Sequence, residues 1–83
     1  MKIDMEGKRM KLCDLSAGHR AYINNSSANG LLNERLMSLG FFPGNMIEAI
    51  KKSNKNGLSI YEISKTLIAL RSEESSLFEV DII

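Results

Sequence analysis

Only one stretch of this sequence repeats its apolar residues at helical spacing, and that stretch carries its own stop signal. Leu32, Leu36 and Leu39 recur at i, i+4 and i+7, and Ala28 extends the series back by one turn. Asn33, Glu34 and Ser38 fall on other faces, so the segment is amphipathic. Ser27 or Asn29 can cap its start by accepting a bond from a free backbone N–H. At the far end Gly40 can take the left-handed conformation, and Pro43 blocks continuation. These signals predict one helix over residues 29 to 39.

Elsewhere the pattern has period two. Met10 to Leu15 reads as a short strand with Met10, Leu12 and Asp14 on one side, and Ser16-Ala17-Gly18 as a turn. Arg20 to Ile23 reads as a second strand, followed by the polar loop Asn24-Asn25-Ser26-Ser27. After the helix, Ile47 and Ala49 alternate with Glu48 and Ile50. Asn54-Lys55-Asn56-Gly57 is a hairpin signal, because Asn-Gly accepts positive φ. Leu58 to Ser64 puts Ser59, Tyr61 and Ile63 on one face. Leu67 to Arg71 reads as a strand buried on both faces, joined to the previous one by a turn at Ser64-Lys65 that contains no glycine. Ser72 to Ser76 reads as a single helical turn capped by Ser72, and Phe78 to Ile82 as a closing strand. The expectation is mainly β: a small antiparallel barrel of five to six short strands with one α-helix after the second strand. A barrel removes most of the exposed edges that strands this short would otherwise leave. Residues 1–9 show neither period and are expected to be a mobile lead-in to a domain over 10–83.

The chain's 83 residues suffice for one small domain, with no room for a cleft between two domains. No apolar run approaches the ~20 residues of a membrane span. The polar N-terminus lacks a secretory h-region, and the single cysteine allows no internal disulfide. Together these predict a cytoplasmic protein. Eleven lysines and arginines against ten aspartates and glutamates leave a net charge of +1, so no nucleic-acid partner is expected.

Residues that could carry chemistry are few. Cys13 and His19 are two metal-ligand types, where a closed zinc site wants four. They are weak candidates for transition-metal binding, iron or zinc, and no cofactor is required. No nucleophile has an identifiable base and orienting group beside it, so no enzyme activity is expected. Lys51, Lys52 and Lys55 form a basic arm, and lysines on exposed strands also guard against edge association.

The most specific stretch is Arg35-Leu36-Met37-Ser38-Leu39-Gly40-Phe41-Phe42-Pro43-Gly44. It resembles the signature of the FeoA family: Arg-Leu, two variable residues, Leu-Gly, an apolar residue, a variable one, then Pro-Gly. Leu12, Leu15 and Gly18 resemble the family's opening, Leu67 to Arg71 its penultimate strand, and Phe78-Glu79-Val80 its close. The family's second basic residue before the Arg is replaced here by Glu34. The motif Leu36, Leu39, Gly40, Pro43 and Gly44 is structural: glycine ends the helix and Pro-Gly turns the chain into the next strand.

The resemblance implies an SH3-like barrel acting as a cytoplasmic, non-catalytic accessory of ferrous iron transport, with the cytosolic domain of a FeoB-like membrane transporter as partner. The alternative it implies is a transition-metal-binding or metal-sensing module, like the C-terminal domain of iron-dependent repressors. No DNA-binding half accompanies these residues, which favours the transporter accessory. The candidate partner-binding residues are Arg35 with Phe41 or Phe42, and then Lys51, Lys52 and Lys55. Adjacent residues of an extended segment face opposite ways, so one of the two phenylalanines is expected inward and the other near the surface.

Overall fold

A computed structural model of the protein describes residues 9–53 and 57–83. Six strands form one antiparallel sheet: β1 (Arg9–Lys11), β2 (Arg20–Ser26), β3 (Met46–Lys51), β4 (Leu58–Ile63), β5 (Thr66–Arg71) and β6 (Phe78–Ile82). Helix α1 (Gly30–Leu39) lies between β2 and β3, and the single turn α2 (Ser72–Ser75) between β5 and β6. The spatial order is β1-β6-β2-β3-β4-β5. The sheet curls around one core, and β1 and β5 remain its edges among the described residues. The lead-in expected over residues 1–9 lies outside the described residues except for Arg9, which already pairs with Asp81. Residues 54–56 of the expected Asn54–Gly57 hairpin also lie outside them.

The alternation of apolar residues decides which face each strand buries. Ala21 and Ile23, Ile47 and Ala49, Tyr61 and Ile63, and Phe78 and Val80 are all buried, each pair two residues apart on its strand. Ser59 joins them on the inner face of β4. Phe41 stacks against Phe78 in a tilted pair with ring centroids 5.1 Å apart.

Several elements differ from their sequence pattern. The strand expected from Met10 to Leu15 stops at Lys11, and Leu12–Asp14 forms a 3₁₀ turn. That turn has three residues per revolution, so Leu12 and Leu15, three apart, both reach the core. β2 runs on to Ser26, with a register shift between Ile23 and Asn25, through what reads as a polar loop. There Asn24 donates from Nδ2 to Asp81 at 2.9 Å, so its polarity serves a cross-strand bond. β5 is not buried on both faces. It is an edge strand, with Leu70 buried but Leu67 65% exposed. The single turn α2 is capped one residue earlier than Ser72: the Arg71 N–H donates to the Glu74 carboxylate at 2.9 Å.

The glycine-free turn at Ser64-Lys65 does form, with φ of 51° and 65°. Both residues sit in the left-handed region, at a cost of about 1–2 kcal/mol each. Positive φ at both positions is the type I′ hairpin geometry, whose twist matches that of the flanking strands. The six register pairs between β4 and β5, from Ile63↔Thr66 to Leu58↔Arg71, offset that strain.

The helix runs over Gly30–Leu39, one residue shorter than its pattern, with Asn29 at its N-cap. Neither expected side-chain cap operates: the Asn29 side chain makes no capping bond, and the Ser26 hydroxyl instead accepts from the Ala28 N–H at 3.0 Å. The helix docks along a four-residue row. Ala28 and Leu32 are half-buried against the core, Leu36 is 4% exposed, and Gly40 is buried. Leu39, expected as a second anchor, is 38% exposed. It lies one residue off that row, at the end of the helix, and turns partly to solvent.

Two outcomes follow. Leu36→Ala should lower unfolding stability by about 2–5 kcal/mol in chemical denaturation, the range for a buried leucine. Leu39→Ala should cost less than Leu36→Ala, because Leu39 already stays 38% exposed and its removal leaves no closed cavity in the core. The second outcome concerns the β1 clasp. Asp81 accepts from Asn24 and from Arg9 Nε at 3.1 Å, and these bonds hold its pKa below the ordinary carboxylate value, the Asn24 bond contributing most. A carboxyl lowered in the fold adds stability above its unfolded pKa of ~3.9, and that contribution is lost as pH falls through the folded value. Asp81→Asn should therefore lower stability at pH 7 by about 0.2–1 kcal/mol, the range for exposed pairs, and the difference should shrink as pH falls below ~3.9.

Candidate functional site

The candidate site is built where α1 ends. The Gly40 N–H donates to the Met37 carbonyl at 3.0 Å, and the Phe41 N–H reaches back to the Leu36 carbonyl at 2.9 Å. These two bonds are the Schellman closure, which needs a left-handed residue just past the helix. Gly40 supplies it with φ of 119°. The apolar contact that accompanies this closure joins the residues at its two ends, here the buried Leu36 and Phe41. Phe42-Pro43-Gly44-Asn45 then forms a type II turn, with the Asn45 N–H donating to the Phe42 carbonyl at 3.1 Å and Gly44 at φ 93°.

This geometry sends the two phenylalanines opposite ways. Phe41 is 1% exposed and Phe42 is 44% exposed. Met37, Leu39 and Met46 are also partly exposed within ten residues of the turn. Arg35 lies exposed on the helix, and its guanidinium has no hydrogen-bond or ion-pair partner among the described residues. The junction thus offers a cation and an aromatic ring that folding does not consume.

Asn45 fixes the junction, and sequence reasoning missed it. Its Nδ2 donates to the Gly40 carbonyl at 2.8 Å and to the Ser64 hydroxyl at 3.0 Å, and its Oδ1 accepts from the Met46 N–H. Its main-chain carbonyl accepts from the Ile23 N–H at 2.8 Å. One side chain therefore ties the helix end to the β4–β5 turn. The available signal was an amide residue directly after Pro-Gly, a type that bonds nearby backbone readily.

The basic arm is divided. Lys51 is exposed at the end of β3, and Lys55 lies outside the described residues. Lys52 is half-buried and committed: its Nζ donates to the Cys13 carbonyl at 2.9 Å and to the Tyr61 hydroxyl at 3.3 Å. Nζ lies 5.4 Å from the ring centroid but 3.3 Å from the hydroxyl. It therefore sits beyond the hydroxyl end of the ring rather than over its face, and the contact is a hydrogen bond, not a cation–π interaction. Lys52 satisfies the end of the 3₁₀ turn instead of facing a partner.

Cys13 lies half-buried in the 3₁₀ turn and His19 exposed before β2. Burial, with Asp14 adding to it, pushes the Cys13 thiol above its ordinary pKa, which disfavours the thiolate a metal would need. Among the described residues no three or more His, Cys, Asp or Glu side chains gather as a metal group. On the outer face Glu48 and Glu62 stand directly opposite across β3 and β4, in an open groove of about 300 Å³ that Arg20 and Lys65 also line. No helix among the described residues is long and apolar enough to cross a membrane.

A small curled antiparallel sheet with one helix between its second and third strands defines an SH3-like domain. Comparison with known proteins supports this class and narrows it. Residues 10–82 match the FeoA domain model, and the chain belongs to that family. A Campylobacter jejuni protein provisionally named Fe(2+) transport protein A is 35% identical over 74 residues, which are 89% of this chain and all of that protein. The solution structure of iron(II) transport protein A from Clostridium thermocellum superposes with a TM-score of 0.83 at 34% identity, over 89% of this chain and 46% of that one. The zinc-complexed FeoA of Stenotrophomonas maltophilia, described as a procaryotic SH3 domain protein, gives 0.75 at 28% identity over 87% of this chain and 89% of that one. A manganese-dependent transcriptional repressor shares the fold alone, with a TM-score of 0.81 at 14% identity over 90% of this chain and 42% of that one.

Proposed function

We propose that this chain is a cytoplasmic, non-catalytic accessory of ferrous iron uptake that docks on the cytosolic domain of a FeoB-like membrane transporter. Family membership supports the process, since the relatives named above are iron(II) transport proteins A and one is described as a candidate ferrous iron transport activating factor. The observation that carries the mode of action is that Arg35 on the helix and Phe42 in the turn after it are both exposed while Phe41 is buried. An exposed aromatic and an arginine are the residue types that most often anchor interfaces. The metal-sensing alternative is supported by the zinc in one relative, while among the described residues no three or more His, Cys, Asp or Glu side chains gather.

The test is calorimetric titration of the chain with a FeoB-like cytosolic domain. Phe42→Ala and Arg35→Ala should each weaken binding about tenfold with little change in melting temperature, because neither side chain is in the core. Unchanged affinity in both folded variants would remove the junction as the docking site and leave Lys51 as the next surface to try. Absence of any binding by the unaltered chain would overturn the partnership itself.

A further inference from the structure

Among the described residues, the outer edge of β5 is a surface that neither the fold nor the proposed junction uses. Ile63 and Thr66 close the two-residue hairpin and therefore bond to each other. Alternation along an antiparallel pair then turns the N–H and C=O of Leu67, Ala69 and Arg71 away from β4. Arg71 bears this out, since its N–H donates to Glu74 and its carbonyl accepts from the Ser75 hydroxyl, both off the ladder. The main-chain groups of Leu67 and Ala69 have no partner among the described residues. Beside them the Leu67 side chain is 65% exposed and Ala69 is exposed as well.

Edges of this kind normally carry a charge or a proline in mid-strand that blocks pairing with other chains. Here the centre, Leu67-Ile68-Ala69, is apolar, and the charges stand at its ends as Lys65 and Arg71, both exposed and neither in an ion pair among the described residues. We propose that β5 accepts an extended partner segment by antiparallel strand addition, and that the segment carries a short apolar run flanked by acidic residues. Main-chain bonds to Leu67 and Ala69 supply the affinity in this mode, and the flanking charges supply the specificity. The same charges discriminate against a second copy of this chain. A two-fold pairing centred on Ile68 would set Leu67 against Ala69 of the second copy, but also Lys65 against Arg71 of the second copy. Like charges facing each other across strands are unfavourable.

The test uses the full chain, labelled with nitrogen-15, and the peptide acetyl-Glu-Glu-Val-Val-Val-Val-Glu-Glu-amide. A control peptide has lysine at all four glutamate positions. The glutamate peptide should shift the Leu67 and Ala69 amide resonances, slow their hydrogen exchange, and bind at least tenfold more tightly than the control at low ionic strength. Salt should narrow that difference. Ala69→Pro should abolish binding, because it removes an outward N–H while leaving the β4 ladder intact. Lys65→Glu combined with Arg71→Glu should reverse the preference between the two peptides, which keeps the proposal testable even where the proline variant does not fold. Equal affinity for both peptides, shifts confined to the Phe42 turn, or no shift at millimolar peptide would overturn it. So would self-association of the peptide-free chain through Leu67 and Ala69, which would give the edge to a second copy.

Discussion

The structure depends on a helix that is closed by the residue after its end. When the Phe41 N–H bonds back to the Leu36 carbonyl, the chain reverses within two residues, and a helix side chain and a loop side chain enter the core together. Only a residue without a Cβ fits at Gly40. Its φ is 119°, and a Cβ there would lie 2.7 Å from the Ser64 hydroxyl oxygen and 3.1 Å from the Asn45 amide nitrogen. The same close approach brings the β4–β5 turn against the helix end, so Asn45 can bridge the two. The exposed face of the junction is a consequence of this packing. With Phe41 committed to the core and Pro43 beginning the turn, Phe42 is left outside.

A domain of this size buries too little apolar surface to rely on its core alone, and polar side chains do part of the positioning. Asn45 joins the helix end to a hairpin, Lys52 joins β3 to the 3₁₀ turn through the Cys13 carbonyl, and Asp81 joins β1, β2 and β6. No buried side-chain nitrogen or oxygen among the described residues lacks a partner. That economy has a functional corollary. A lysine already bound to a carbonyl and a phenol is a poor docking residue, whereas Arg35 and Lys51 make no such bonds among the described residues.

Much of the fold was legible because each pattern had a single physical reading. The period-two runs at Ile47-Ala49, Ser59-Tyr61-Ile63 and Phe78-Val80 face the core as their alternation requires. Gly40 and Pro43-Gly44 mark the helix end and turn that the structure contains. What failed to show were features set by neighbours distant in sequence. Leu67 and Leu70 look equally apolar, but only the strand order makes β5 an edge and exposes Leu67. Met10 and Leu12 alternate as a strand would, and the 3₁₀ turn that brings Leu12 and Leu15 inward together has its Cys13 carbonyl satisfied by Lys52, 39 residues away. Of the candidate site, the opposed orientation of Phe41 and Phe42 could be foreseen, but which ring goes inward is decided by Phe78. The role of Asn45 depends on Ser64, nineteen residues away.

The central claim is that the left-handed residue at the helix end organises both the core and the exposed junction. Equilibrium denaturation of Gly40→Ala tests it most directly. An alanine there must adopt a strained backbone and displace Ser64 or Asn45, each a cost of about 1–3 kcal/mol. Gly40→Ala should lose about 2 kcal/mol or more, with resonance shifts at Phe41, Asn45 and Ser64. A variant as stable as the original, with those three residues unmoved, would contradict it.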